Sequence, residues 1–221
     1  MSLTHSQSLT KKEQSFTPYD ITKRFEETIA DYAGSKYAVA VDSGCNALFL
    51  SCLYKKVRTV NIPKYTYPGV ACSILNSFKI NRIDNPILTF TNTAWKGIYD
   101  VAPYKIIDSA LRFKKGMYID GSLYCLSFHM KKHLAIGRGG MILTDDKRAY
   151  TWLKRARFDG RSECPLDEDM IDSVGWNMYL TPEQATRGLM IFETIKNLDL
   201  PDIENFKQGY PDLSKIGAYK C

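Results

Sequence analysis

The stretch Lys36-Tyr37-Ala38-Val39-Ala40-Val41-Asp42-Ser43-Gly44-Cys45-Asn46 decides how this chain is read. Its first six residues are small or β-branched and suit a short buried strand, while Asp42 to Asn46 forms a small polar turn. Residues 47–54 then read as a helix. A strand that turns directly into a helix leaves free backbone N–H groups at the helix start, where an anion can bind. The same pattern also serves as a plain connection, because Ser-Gly is common in turns. This segment alone leaves both readings open.

The chain alternates in the same way on either side. Upstream, Ile21, Phe25, Ile29 and Tyr32 share one face of a helix over 21–32, with Gly34 just past its end. Downstream, a strand at 59–62 reaches Pro63, the aromatic turn Lys64-Tyr65-Thr66-Tyr67-Pro68-Gly69 follows, and 70–78 reads as a helix. Short strands are predicted at 80–83, 105–107, 124–128 and 140–143, and helices at 147–157 and 182–197. Such alternation implies an α/β domain with a mostly parallel sheet, whose ligands sit at strand C-terminal ends. Residues 1–20 read as a polar, Ser/Thr-rich arm, 21–198 as the domain, and 199–221, with Pro201, Gly209, Pro211 and Gly217, as an irregular tail.

Composition narrows the function. With 221 residues, 44% hydrophobic and 24% charged, the chain has the balance of an ordinary globular protein. No run approaches the roughly 18 apolar residues of a membrane span, and residues 1–14 are too polar for a secretory signal, so a cytoplasmic protein with no membrane partner is expected. The six cysteines are scattered without a C-x-x-C pair and read as reduced core thiols. A formal net charge of +6 favours an anionic partner. Nucleic acid is not the expected one: tyrosines interleave with the lysines, but no RNP-like run, Gly-x-x-Gly clamp or finger spacing is present.

Polar residues stand at three predicted strand ends: Ser43-Gly44, Asp108, and Ser127 with Lys132 a few residues on. Each has an ordinary alternative. Asp after a strand often caps a helix, a lysine beside Lys131 is by default a surface lysine, and Tyr67 serves equally as a core aromatic. His129 and His133 are spaced like a metal pair, but no glutamate follows His129 and no metal site is expected.

Taken in order, these residues resemble the DegT/DnrJ-type sugar aminotransferases, pyridoxal 5'-phosphate (PLP) enzymes of fold type I. Phe25-Glu26-Glu27, Tyr32-Ala33-Gly34, the strand at 37–41, Ser43-Gly44 and Ala47-Leu48 are similar to the family's opening. Ile107-Asp108-Ser109-Ala110 resembles its Glu-Asp-Ala-Ala, and Ser127-Phe128-His129-Met130-Lys131-Lys132 its Ser-Phe-His-Pro-Thr-Lys, followed by Gly137-x-Gly139-Gly140 and Gly175-Trp176-Asn177. The resemblance implies that Lys132 bonds covalently to PLP and shuttles the substrate proton, that Asp108 holds the pyridine nitrogen protonated, and that Tyr67 stacks on the ring. It also implies that Gly44, Cys45, Asn46 and Ser127 hold the phosphate, with Asn177 reaching in from a second subunit of a homodimer with shared active sites.

The implied activity moves an amino group from an amino acid such as glutamate to a nucleotide-linked keto sugar. Departures from the pattern stand beside it. Leu111, Cys45, Met130-Lys131 and Tyr179 replace the family's Gln or His, Thr, Pro-Thr and Arg. Only 24 positions separate Asp84 from Asp108, so part of the sheet is expected to be pruned, and the family's C-terminal small domain has no counterpart here. The alternatives are a PLP-dependent sugar dehydratase, whose relatives typically carry histidine in place of Lys132, and a non-catalytic binding module of the same fold.

Overall fold

A computed structural model describes residues 17–220. The arm read at 1–20 therefore lies almost wholly outside the described residues, and its last positions, from Pro18 on, belong to the first helix. In chain order the elements are α1 (Pro18–Ala33), β1 (Tyr37–Val41), α2 (Gly44–Lys55), β2 (Thr59–Pro63), α3 (Pro68–Ile80), β3 (Ile87–Thr91), β4 (Tyr99–Asp100), β5 (Ile106–Asp108), β6 (Leu123–Ser127), β7 (Gly140–Thr144), α4 (Lys147–Ala156) and α5 (Pro182–Ile195). Three short 3-10 turns follow, Asn205–Gln208, Leu213–Lys215 and Gly217–Tyr219. No helix among the described residues is long and apolar enough to cross a membrane.

Local chemistry sets the helix ends. Pro18 opens α1 and Gly34 closes it at φ +87°, a left-handed conformation that costs glycine little. Thr181 and Gln184 exchange hydrogen bonds in a capping box at the start of α5. The strand expected at 80–83 is absent. Helix α3 continues to Ile80, Ile83 N–H folds back onto the Phe78 carbonyl (3.0 Å), and Arg82 and Asn85 take positive φ, so the strand forms later, at Ile87–Thr91. Ile80, expected to open that strand, is thus the last residue of a helix.

The architecture is the expected α/β one, but the sheet is mixed rather than mostly parallel. Five strands run in the order β1-β7-β6-β5-β4; β5 and β6 are parallel, and the other three pairings are antiparallel. Strands β2 and β3 pair in parallel as a second ribbon, joined to the first sheet by reciprocal hydrogen bonds between Asn61 and Ala102. No helix separates β3 from β4 or β5 from β6, so the crossovers that would enforce parallel neighbours are missing there.

Alternate strand residues enter two cores. Val39, Val41, Leu123, Cys125 and Ile142 pack with α2, α3 and α4, while Ala38, Ala40, Tyr124, Leu126, Met141 and Leu143 pack with α1 and α5. Helix α1 contributes Phe25 and Ile29 to the second core, both fully buried, as their spacing predicts.

The open edge of β1 is closed by side chains. Glu26 accepts the Ala40 N–H at 2.7 Å, and Arg157 donates to the Ala40 carbonyl and to Glu26. Arg157 also bonds Glu163 at 2.8 Å, and Lys154 joins both carboxylates at 3.2 and 2.7 Å. The guanidinium and Glu26 thus occupy the edge where another strand would otherwise pair. Arg157→Met leaves the buried Glu26 carboxylate to Lys154 and the Ala40 N–H, takes the donor from the Ala40 carbonyl, and is expected to cost about 1–3 kcal/mol of stability in a denaturant melt. A loss below about 1 kcal/mol would contradict this role.

Candidate active site

Strand direction gathers the polar residues. Because β7 is antiparallel to both β1 and β6, β1, β5 and β6 all point the same way. Their C-terminal ends, at Val41, Asp108 and Ser127, therefore meet at one edge of the sheet. β7 starts at that edge, with Gly140 opposite both Val41 and Ser127. There is no room here for side chains. A Cβ on Gly44 would lie 2.8 Å from Ser127 Cβ, and one on Gly140 would lie 2.5 Å from the Ser43 carbonyl carbon.

A cavity of about 580 Å³ opens at this edge. Gly44, Cys45, Tyr67, Asp108, Ser127 and Lys132, six of the eight residues expected at the site, line it. Asp108 lies on its floor, 4% exposed. Its Oδ1 accepts the Ala110 N–H at 2.9 Å and its Oδ2 the Tyr99 hydroxyl at 2.8 Å, and Tyr99 is in turn bonded to Thr66 at 2.9 Å. Tyr99 stands directly across the β4–β5 pair from Asp108.

Lys132 follows β6 in a tight turn, its N–H on the His129 carbonyl at 2.8 Å. Lys131 also lines the cavity but is exposed, whereas Lys132 is half-buried. Burial lowers the Lys132 amine below the ordinary lysine range, and Asp108 and Cys45 oppose that shift. Burial raises the Asp108 carboxyl, against the hydrogen bonds from Tyr99 and Ala110 and the charge of Lys132. Desolvation thus disfavours the charged form of both groups, in opposite directions on the pH scale. The Cys45 thiol, pushed up to about 11 mainly by burial, remains protonated at neutral pH.

Helix α2 presents its first turn to the cavity. Ser43 caps it, its hydroxyl accepting the Asn46 N–H at 3.2 Å, and Ala47 N–H begins the backbone ladder on the Ser43 carbonyl. The N–H groups of Gly44 and Cys45 precede that ladder and have no acceptor among the described residues. Asn46 differs from them: its N–H is committed to the cap, its Nδ2 donates to Asp42 at 2.6 Å, and it lines a neighbouring cavity with Trp176 and Met178.

Asn177 lines neither cavity. Its neighbours Trp176 and Met178 face α2, and its own side chain is 3.4 Å from Asp159. Sequence reasoning did not single out Trp95, Tyr99, Arg138 or Tyr210. Of these, Arg138 alone lay inside a quoted motif, Gly137-x-Gly139-Gly140. It reaches the Asp42 carboxylate at 2.8 Å beside the start of α2.

Residues 4–79 and 116–205 match the DegT/DnrJ/EryC1/StrS aminotransferase family, which covers well over half of the sequence. The chain belongs to that family. Asp108 falls in the unmatched stretch, and what is shown of it is its place in the cavity beside Lys132 and Ser127. No curated protein matches the sequence.

Among solved structures, 3-amino-5-hydroxybenzoic acid synthase superposes with a TM-score of 0.65 at 17% identity, over 80% of this chain and 56% of that one. The sugar aminotransferase CalS13 from Micromonospora echinospora gives 0.62 at 15% identity, over 78% and 60%. The Helicobacter pylori aminotransferase PseC, involved in pseudoaminic acid biosynthesis, gives 0.58 at 16% identity, over 79% and 57%. The chain therefore shares their fold and spans less than two thirds of their length.

Proposed function

We propose that this cavity binds PLP and that the protein transfers an amino group from an amino acid, glutamate being the expected donor, to a nucleotide-linked keto sugar. The observation that carries the reading is the pairing of Lys132 and Asp108 in one cavity beside the first turn of α2. These residues fit the cofactor: an amine held toward its neutral form suits covalent attachment, a buried carboxylate suits a cationic ring nitrogen, and the helix start with the Ser127 hydroxyl suits a phosphate. Tyr67 lines the same cavity as an aromatic face.

When bound, the cofactor supplies an electron sink for the carbanion left on proton removal. The rest falls to this chain. Lys132 Nζ accepts the substrate proton and returns it, and its depressed basicity increases the neutral fraction that can do so. Asp108, itself buried, would hold its negative charge toward a cationic ring nitrogen. Lys131 and Arg138 at the cavity, together with the net charge of +6, suit the diphosphate of a nucleotide-linked substrate. Lysine at 132 favours transfer over the dehydratase reading.

The test is a PLP titration followed by absorbance, then addition of glutamate without an acceptor. Saturable visible absorbance and release of 2-oxoglutarate in proportion to the sites are expected. A protein that binds no PLP would instead favour the non-catalytic module.

The proposed active unit is a homodimer in which Asn177 completes the phosphate site of the partner, a reading suited to a side chain that bonds Asp159 rather than lining its own cavity. Lys132→Ala and Asn177→Leu, each inactive alone, are then mixed under conditions of subunit exchange. The leucine avoids placing a second carboxylate beside Asp159. Up to about a quarter of wild-type activity should return, because half of the dimers are mixed and each holds one intact site. Absence of recovery despite proven exchange contradicts the shared site.

A further inference from the structure

Residues 201–220 carry no periodic pattern, yet they run along the rim of the cavity under several restraints. The Arg112 guanidinium grips Asp202, its Nε 3.1 and 3.0 Å from the two carboxylate oxygens. Asn205 Nδ2 donates to the Tyr65 carbonyl at 3.1 Å. Leu213, fully buried, donates its N–H to the Lys64 carbonyl at 2.9 Å, and Asp212 pairs with Lys64 at 3.4 Å.

Lys64 and Tyr65 belong to the same turn as Tyr67, so the segment holds that turn at both of its anchors. Between them Gly209, at φ +66°, reverses the chain and brings Gln208, Tyr210 and Pro211 into the cavity wall. The Tyr210 ring meets the Tyr67 ring edge to face, with centroids 6.4 Å apart.

Tyr67 is 55% exposed, so a packed neighbour is what limits its ring. We propose that Tyr210 is a positioning residue of this cavity: it holds the Tyr67 ring against a planar aromatic ligand and closes the wall near Asp108 to water. The proposal rests on the cofactor reading above in naming that ligand as PLP. Its second half concerns the protein alone. Tyr210 acts there as a neutral ring, because burial first, and then the neighbouring Asp108 and Tyr67, push its phenol up to about 12. The other groups facing Asp108 are Tyr99, Lys132, Cys45 and Cys125.

The experiment compares wild type, Tyr210→Phe and Tyr210→Ala by two readouts, with a thermal melt to confirm that each folds. The first is PLP affinity by titration. The phenylalanine variant is expected to stay within about twofold of wild type, and the alanine variant to weaken by about tenfold, the scale of one lost aromatic contact with its buried area. The second is the Asp108 carboxyl titration in the cofactor-free protein, followed by carbon-13 NMR with Asp108→Asn for assignment. Alanine should admit water and move the Asp108 midpoint down toward the ordinary carboxylate value, while phenylalanine leaves it in place.

A folded alanine variant with wild-type affinity and an unmoved Asp108 midpoint overturns the proposal. Loss of affinity in the phenylalanine variant equal to that in alanine also overturns it, since the hydroxyl rather than the ring would then be acting. If wild type itself binds no PLP, the cofactor reading fails, and the Asp108 titration alone decides whether Tyr210 closes the wall.

Discussion

Lys132→Ala is expected to abolish covalent attachment of PLP and to reduce amino transfer by at least about 10²–10⁴-fold, the scale of a lost general acid-base group. The loss should be larger still if the covalent bond is essential to every turnover. Folding should survive, because Lys132 is only half-buried and its charged form is already disfavoured by desolvation. Thermal melts should therefore show little change, or a small gain in stability. Lys131→Ala is the control. It lines the same cavity from an exposed position and should leave attachment intact. If the two variants behave in the opposite way, the spacing from Ser127 has been read one residue out of step.

Asp108→Asn should separate activity from stability. Loss of the charge proposed to face the ring nitrogen is expected to slow transfer by at least about a hundredfold, while covalent attachment at Lys132 persists. The effect on stability has the opposite sign. Burial raises the Asp108 carboxyl above its unfolded value, so between the two values the folded chain binds a proton that the unfolded chain has released. Stability then rises as the pH falls through the folded-state value, and the ionised group is a net cost above it.

Asparagine removes that cost and can keep the local bonds, accepting from Ala110 N–H and donating to the Tyr99 oxygen while Tyr99 donates to Thr66. The variant should therefore melt higher than wild type at neutral pH and lose that component of the pH dependence. An inactive variant that is also less stable at neutral pH would mean that Asp108 is mainly structural.

These residues show which features are readable in sequence. Asp108 and Ser127 end strands and Ser43-Gly44 follows one at the start of α2, and strand ends in an α/β sheet converge, so their meeting at one cavity follows from local pattern alone. Lys132 is separable from Lys131 by spacing and by nothing else until burial is seen. Tyr99 was hidden because its strand has only two residues, too short for any periodicity, and its role comes from lying opposite Asp108.

Tyr210 was hidden for another reason. A segment with Pro201, Gly209 and Pro211 lacks a repeating pattern, and its place is fixed by single contacts to Lys64, Tyr65 and Arg112 from distant parts of the chain. The mixed sheet follows from the same limitation. Alternating elements predict crossovers, but the chain from Ile87 to Ser127 passes through four strands without an intervening helix. The Glu26–Arg157 closure of the β1 edge joins residues far apart in sequence, and neither stands out in its own segment.

The most direct measurement of the central claim is borohydride reduction of the PLP-treated protein, followed by peptide mapping of the reduced, now permanent, label by mass spectrometry. One label per chain is expected, on Lys132, blocked when PLP is replaced by its already reduced alcohol and absent from Lys132→Ala. A label on Lys131, labels spread over the surface lysines, or no label at saturating PLP would contradict it.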